Sequence, residues 1–441
     1  MSSSPHDGEQ TRFTPPEDAL TKALFDVKSA NPGLGISKVH AQVLKNHPEW
    51  LVSEKRTKKI LQNHGLIVAS SPSSNDAEQP IYPSSRMIEG LDLFQWTSKV
   101  QVKYFDKKKG KGLVATEDIN EKDVIWREDP FIIAPEWEIF DMQVAATACG
   151  YCTTPLTPDS PLIIPCPASS SSSYCPARFC NRLCAARSSK VHPLLCPSQN
   201  PASAPLIKFA KDTQWMALHA LAQLTSRILL VNQYSDSQAD WEVVRGLAEL
   251  GMEDRFKYSF KSPNQPEPDR PTWKKAFELY SQAFKEPKTP QDQKKLTRIL
   301  KKPLPAAIER GLFDYELGFL RNLGKMSLNL EAHGGLYTLH SHLNHSCDPN
   351  VSVRHLDQRT ALSRITVIAK RPIKRGEELF ITYVNPKLGH RARLDELRGW
   401  GFGACICSRC VEEALMVNQA PAVNDELDDL ADELKAGLGV L

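Results

Sequence analysis

Nowhere in its 441 residues does the chain carry an apolar run approaching the ~18 residues of a membrane span. Its opening, MSSSPHDGEQ, lacks the apolar core of a secretory signal. Both absences set the expectation of an intracellular protein with no membrane partner. Charge of one sign is also scarce: 55 Lys and Arg against 52 Asp and Glu leave a net +3. A nucleic-acid binder gathers its basic residues on one face, and the net balance alone gives no such sign. In a reducing compartment the 11 cysteines are a poor disulfide framework, and their clustering favours metal. The length exceeds one ordinary core, so two to four folded units are expected around one larger body.

Residues 14–66 predict three short helices, near 17–30, 36–46 and 53–64, separated by NPGLG at Asn31–Gly35 and HPEW at His47–Trp50. This is a helix-turn-helix-like module. Ser53 is placed to cap the third helix, which presents Lys55, Arg56, Lys58 and Lys59 beside apolar Ile60 and Leu61. Such a helix is either a solvated face or a DNA contact through residues 53–64. Residues 67–97, rich in Ser and Pro over much of their length, read as a linker.

From Ser98 to residue 148 the texture changes to short β-type stretches, VQVKYF, KGLVATEDI and VIWRED, broken by a Gly-containing loop at Lys107–Gly112. Residues 149–196 hold seven cysteines and one histidine in a loop-like insertion. Helical periods fill 197–335: Trp215, Leu218, Leu221, Leu224 and Ile228 mark a helix within 203–233, and Trp273, Phe277, Tyr280 and Phe284 a second. Both stripes read as core. The β pattern resumes over 336–383, a cysteine group follows within 384–410, and residues 411–441 are acidic, either one amphipathic helix or a frayed tail. The expected fold class is α+β.

Cys149, Cys152, Cys166, Cys175, Cys180, Cys184, His192 and Cys196 supply eight donors, the number that two closed tetrahedral zinc sites need. Cys405, Cys407 and Cys410 are one donor short of a third. His340 and His342 in HSHLNH invite a metal reading, but on a strand their spacing means only a shared face, and the thiols already account for the metals.

Two further motifs decide the reading: NHSCDPN at Asn344–Asn350 and GEELFITY at Gly376–Tyr383. An Asn-His pair before a constrained turn, with one tyrosine ending a later apolar strand, resembles the catalytic pattern of SET-domain protein-lysine methyltransferases. FCNRLCAARSSKVHPLLC at Phe179–Cys196 resembles the MYND zinc finger. With the helical insertion, the stretch from about Ser98 to Cys410 resembles the SMYD-type class, and the N-terminal module adds a likeness to its fungal histone-lysine methyltransferases.

The resemblance implies a fold of small sheets with a knot-like C-terminal active site, and S-adenosylmethionine as methyl donor. It assigns Tyr383 to catalysis and Lys111, Gly112, Asn344, His345, Tyr383 and Phe402 to the cofactor. It interleaves the zinc ligands, Cys149, Cys152, Cys180 and Cys184 on one ion and Cys166, Cys175, His192 and Cys196 on another. Cys347 completes Cys405, Cys407 and Cys410, so three structural zinc ions are expected. The implied partner of this monomer is a protein bearing a target lysine, a histone tail or nucleosome, with histone H4 favoured. Three departures stand out: Pro167–Tyr174 separates two cysteines usually two apart, Phe402 lies one residue further than usual from Cys405, and residues 411–441 are too few for the helical-repeat domain of longer relatives. A non-enzymatic adaptor binding proline-containing peptides is the competing reading.

Overall fold

The computed structural model describes residues 13–30, 36–63, 82–258, 268–355, 363–401 and 405–419. The chain divides into two units, Met1–Gln79 and Pro80–Leu441.

In the first unit three amphipathic helices, α1 (Glu17–Ala30), α2 (Ile36–Asn46) and α3 (Glu54–Asn63), bury Leu20, Leu24, Val39, Val43, Ile60 and Leu61 between them. The Arg56 amide donates to Ser53 Oγ at 3.3 Å, the third-position bond of an N-cap. The Arg56 guanidinium is not part of a free basic face, because it donates to the Pro15 carbonyl at 3.1 Å. Lys55, Lys58 and Lys59 are exposed.

In the second unit the strands are short: β1 (Val100–Asp106), β2 (Gly110–Ala115), β3 (Val124–Glu128), β4 (Ile132–Ile133), β5 (Ile164–Pro165), β6 (Arg178–Phe179), β7 (Gly335–Leu336), β8 (Asn344–His345), β9 (Val351–Arg354), β10 (Ile365–Ala369) and β11 (Phe380–Ile381). They form five small sheets, β1-β2, β3-β10-β9, β11-β8, β4-β7 and β5-β6, all antiparallel except β8 with β11. Apolar residues from these sheets, among them Leu113, Trp126, Ile365, Val367 and Leu379, make one core. A second core is helical, and it buries Leu218, Leu221, Leu224, Ile228, Trp273, Tyr280 and Phe284 from the two sequence stripes. The α+β expectation fits this content.

Four local expectations change. The period over 203–233 spans two helices, Ala204–Asp212 and Met216–Tyr234, because Gln214 breaks the chain with φ +52°. His340 and His342 lie on a 3-10 turn, not a strand, so their spacing does not put them on a common sheet face. Residues 82–97, assigned to a linker, pack on the second unit, with Ile88 in the helical core and Leu93 and Trp96 against the β core. The helix Ser408–Gln419 runs through the expected boundary at residue 410. The acidic cluster beyond it lies outside the described residues.

Candidate active site and metal clusters

The site forms where β2, the turn into β8, and β11 meet. Strand β2 pairs with β1 on one edge, and on the other Ala115 N donates to Glu377 O and Leu379 N to Leu113 O, both at 2.8 Å. Residues 377–379 are thereby laid beside β2, and the chain then enters β11 parallel to β8. Asn350 fixes this crossing. Its amide donates to Glu378 O at 2.8 Å and Glu377 Oε1 at 3.1 Å, and its Oδ1 accepts from Phe380 N at 2.8 Å. Fully buried, it uses each polar atom on the strand it holds.

Asn344 on β8 donates to the Lys111 carbonyl at 3.0 Å and to Glu378 Oε1 at 2.9 Å. Gly112 is required here, since a Cβ would stand 2.8 Å from Asn344 Nδ2, Glu378 Oε1 and the Phe105 ring. That space is taken up by the protein's own groups. Lys111 is 3% exposed, its Nζ has no hydrogen-bond partner among the described residues, and burial pushes its pKa down to about 7. His342 Nε2, also buried, is likewise unpartnered among them.

The Tyr383 phenol donates to the Leu343 carbonyl at 2.7 Å, and burial pushes its pKa above the ordinary range. Its main-chain N–H donates to His345 Nδ1 at 3.0 Å, so the imidazole proton sits on Nε2, 3.3 Å from Cys347 Sγ. Burial, helped by the Arg393 charge, pushes His345 down to about 4, which keeps it neutral. Trp400 lies against Tyr383 with ring centroids 4.7 Å apart. Phe402 lies outside the described residues.

Sequence reasoning missed Glu128. At the end of β3 it is 2% exposed and accepts from Leu339 N at 2.7 Å, His340 N at 3.1 Å and Trp126 Nε1 at 3.2 Å. It caps the 3-10 turn that leads into Asn344. An acid closing the apolar strand VIWRE was the available signal.

The expected donors converge in three groups, Cys149, Cys152, Cys180 and Cys184; Cys166, Cys175, His192 and Cys196; and Cys347, Cys405, Cys407 and Cys410, with donor atoms all within 4.8 Å of one another in each group. A tetrahedron with Zn–S near 2.3 Å has edges of about 3.8 Å. Edges near this length occur in each group, 3.7 Å for Cys152 to Cys180, 3.8 Å for Cys166 to Cys196 and 3.5 Å for Cys410 to Cys347, while Cys180 to Cys184 is shorter at 3.3 Å. Without a cation such a set cannot ionise together, and hydrogen bonding to Cys149 and Cys152 drives Cys184 far up. The five-serine loop does not separate Cys166 from Cys175, because Ser170 and Ser173 pair across it and Ser169 Oγ accepts the Cys175 amide at 3.1 Å. His340 and His342 join none of the three groups. His340 Nε2 is 3.2 Å from Glu331, and His342 Nδ1 lies 2.9 Å from the Thr338 carbonyl.

The family profile of the SET domain matches residues 110–384. The chain is 28% identical over 411 residues to "Histone-lysine N-methyltransferase SET5" of Yarrowia lipolytica, covering 90% of this chain and 83% of the relative. It is 30% identical over 342 residues to the protein of the same name from Mycosarcoma maydis, covering 70% of this chain and 67% of the relative.

Proposed function

Since this chain belongs to the SET-domain family and is a protein-lysine N-methyltransferase, we propose that it methylates histone tails from S-adenosylmethionine, with histone H4 favoured. The reading rests above all on one observation: Lys111 is buried with its Nζ unpartnered among the described residues, and the Asn344 amide holds its main-chain carbonyl. That pair suits the amino-acid end of the cofactor, Lys111 for its carboxylate and Asn344 for its amine, with His345 toward the adenine. When bound, S-adenosylmethionine would supply an electrophilic methyl on a sulfonium.

The protein's part is to present the target lysine amine uncharged. Free lysine has a pKa near 10.4, so neutrality at pH 7 costs roughly 4 to 5 kcal/mol. Walls built from Tyr383, Trp400 and neutral His345 disfavour the charged form and lower this cost. Tyr383 stays protonated with its hydrogen committed to Leu343, so toward the nucleophile its oxygen acts as an acceptor.

Three zinc ions held by the cysteine groups act structurally, the two in 149–196 as a MYND-type finger. The third ties Cys347, two residues past His345, to the segment after the SET domain. The adaptor reading is set aside, because relatives matched over 90% of this chain carry a methyltransferase name. Action on histones implies the nucleus, and the exposed Lys55, Lys58 and Lys59 of α3 suit a DNA contact on the nucleosome.

Labelled S-adenosylmethionine incubated with purified histones and a cell extract tests the reading. Histone labelling is expected, with Tyr383→Phe losing about a hundredfold in kcat at unchanged cofactor affinity. Undiminished labelling by that variant overturns the assigned chemistry, and labelling confined to non-histone protein overturns the substrate.

A further inference from the structure

The residues just before the SET domain lie across the turn at Gly110–Gly112. We propose that Ser85 is a positioning residue that fixes this turn for the cofactor, and that residues 82–88 form a strap holding Ser85 in place. The proposal rests on reading Gly110–Gly112 as part of the cofactor site.

Along β2 alternate residues turn their main chain away from β1, and Ala115 and Leu113 meet backbone partners at 377 and 379. Lys111 is the next residue on that edge, past the end of this pairing. Its two main-chain groups are met by side chains instead: the carbonyl accepts from Asn344 Nδ2 at 3.0 Å, and the N–H donates to Ser85 Oγ at 3.2 Å. Since Lys111 is 3% exposed, water is a poor substitute for the hydroxyl. Gly110 matches the same group. It has φ +73°, and any Cβ there would collide with Ser85 Oγ.

The strap is seated independently of this bond. Ser84 and Glu249 exchange backbone hydrogen bonds at 2.9 and 2.8 Å, and Arg86 Nε donates to the Arg245 carbonyl at 3.1 Å. Ile88 is buried against Gly246, where a Cβ would collide with it, and a Cβ at Gly401 would stand 3.6 Å from Pro83. The Lys108 ammonium lies 5.2 Å from the Tyr82 ring centroid. One segment thus touches the helical insertion, the glycine turn and the residue before Phe402. With Ser85 holding the peptide plane before Lys111 and Asn344 the one after it, the turn is set before the cofactor arrives, which lowers the ordering cost of binding.

Steady-state kinetics of the full chain on a histone peptide, with calorimetry for S-adenosylmethionine, tests this. Ser85→Ala is expected to raise the cofactor KM about tenfold, the scale of one buried backbone donor left unpaired. Turnover at saturating cofactor and peptide KM stay unchanged. Ser84→Ala, which alters an exposed side chain of the same strap, leaves all three unchanged, and Ser85→Thr, which keeps the oxygen, retains the wild-type cofactor KM. Ser85→Ala kinetics equal to wild type overturn the proposal, as does a fall in kcat and melting temperature with cofactor KM unmoved. A wild-type chain that binds no S-adenosylmethionine overturns the cofactor reading itself, a result distinct from wild-type binding that Ser85→Ala leaves intact.

Discussion

Lys111 sits nearly inaccessible with its ammonium unpartnered among the described residues, and burial pushes its pKa from 10.5 to about 7. The folded state therefore resists its charge. Below pH 7 the lysine is protonated folded and unfolded, and the cost, on the order of a few kcal/mol, is fully present. As pH rises from 7 toward 10.5 the folded lysine sheds its proton first and the cost fades. Lys111→Met should raise the melting temperature at pH 7 and lessen its rise toward pH 9.5, both read by calorimetry. The same variant is expected to bind S-adenosylmethionine at least tenfold more weakly, because a carboxylate then loses its buried cation. At this scale the sequence was informative about neighbours: NHSCDPN and GEELFITY, singled out as motifs, lie side by side, β8 pairing with β11 and His345 accepting the Tyr383 amide. What Gly112 makes room for was not readable, since Asn344 and Phe105 come from distant strands.

Among the elements, the 3-10 turn His340–His342 shows how a period can mislead. HSHLNH alternates as a strand does, yet Glu128, 211 residues earlier in the chain, accepts the Leu339 amide and turns the segment into a short helix. No local pattern encodes a cap delivered from that far away. Likewise nothing in the helical texture of 203–233 marks the break at Gln214, and the Ser- and Pro-rich run before residue 86 carries the linker reading across Ile88, Leu91, Leu93 and Trp96. Glu128 has its own consequence. Burial pushes its pKa up to about 7, so its contribution to stability is greatest below pH 4.5 and declines as pH rises through 7. Glu128→Gln should remove that decline, because the amide does not titrate. The amide also turns an NH2 toward one of the two backbone donors, so a loss of about 1–3 kcal/mol at pH 6 is expected in urea unfolding. Activity should fall with it, since the capped turn leads to the Leu343 carbonyl that holds Tyr383.

For the whole molecule, three donor groups imply three zinc ions per chain by elemental analysis. Cys410→Ser should carry one fewer and lose activity, because its sulfur stands 3.5 Å from Cys347 and fully buried Arg393 reaches toward it at 3.8 Å. A chain beginning at residue 80 is expected to turn over free peptide at the full rate while binding nucleosomes more weakly; equal nucleosome affinity would remove the DNA role of α3. A chain beginning at residue 98 lacks the strap, and its cofactor KM should rise beyond that of Ser85→Ala. The bond from Asn344 to Lys111 spans 233 residues, and the donor group that steadies its turn closes only at Cys410. During synthesis the ribosome must therefore release the chain through Cys410 before this site can close, so a product truncated ahead of residue 410 is expected to be inert from birth rather than a half-working enzyme.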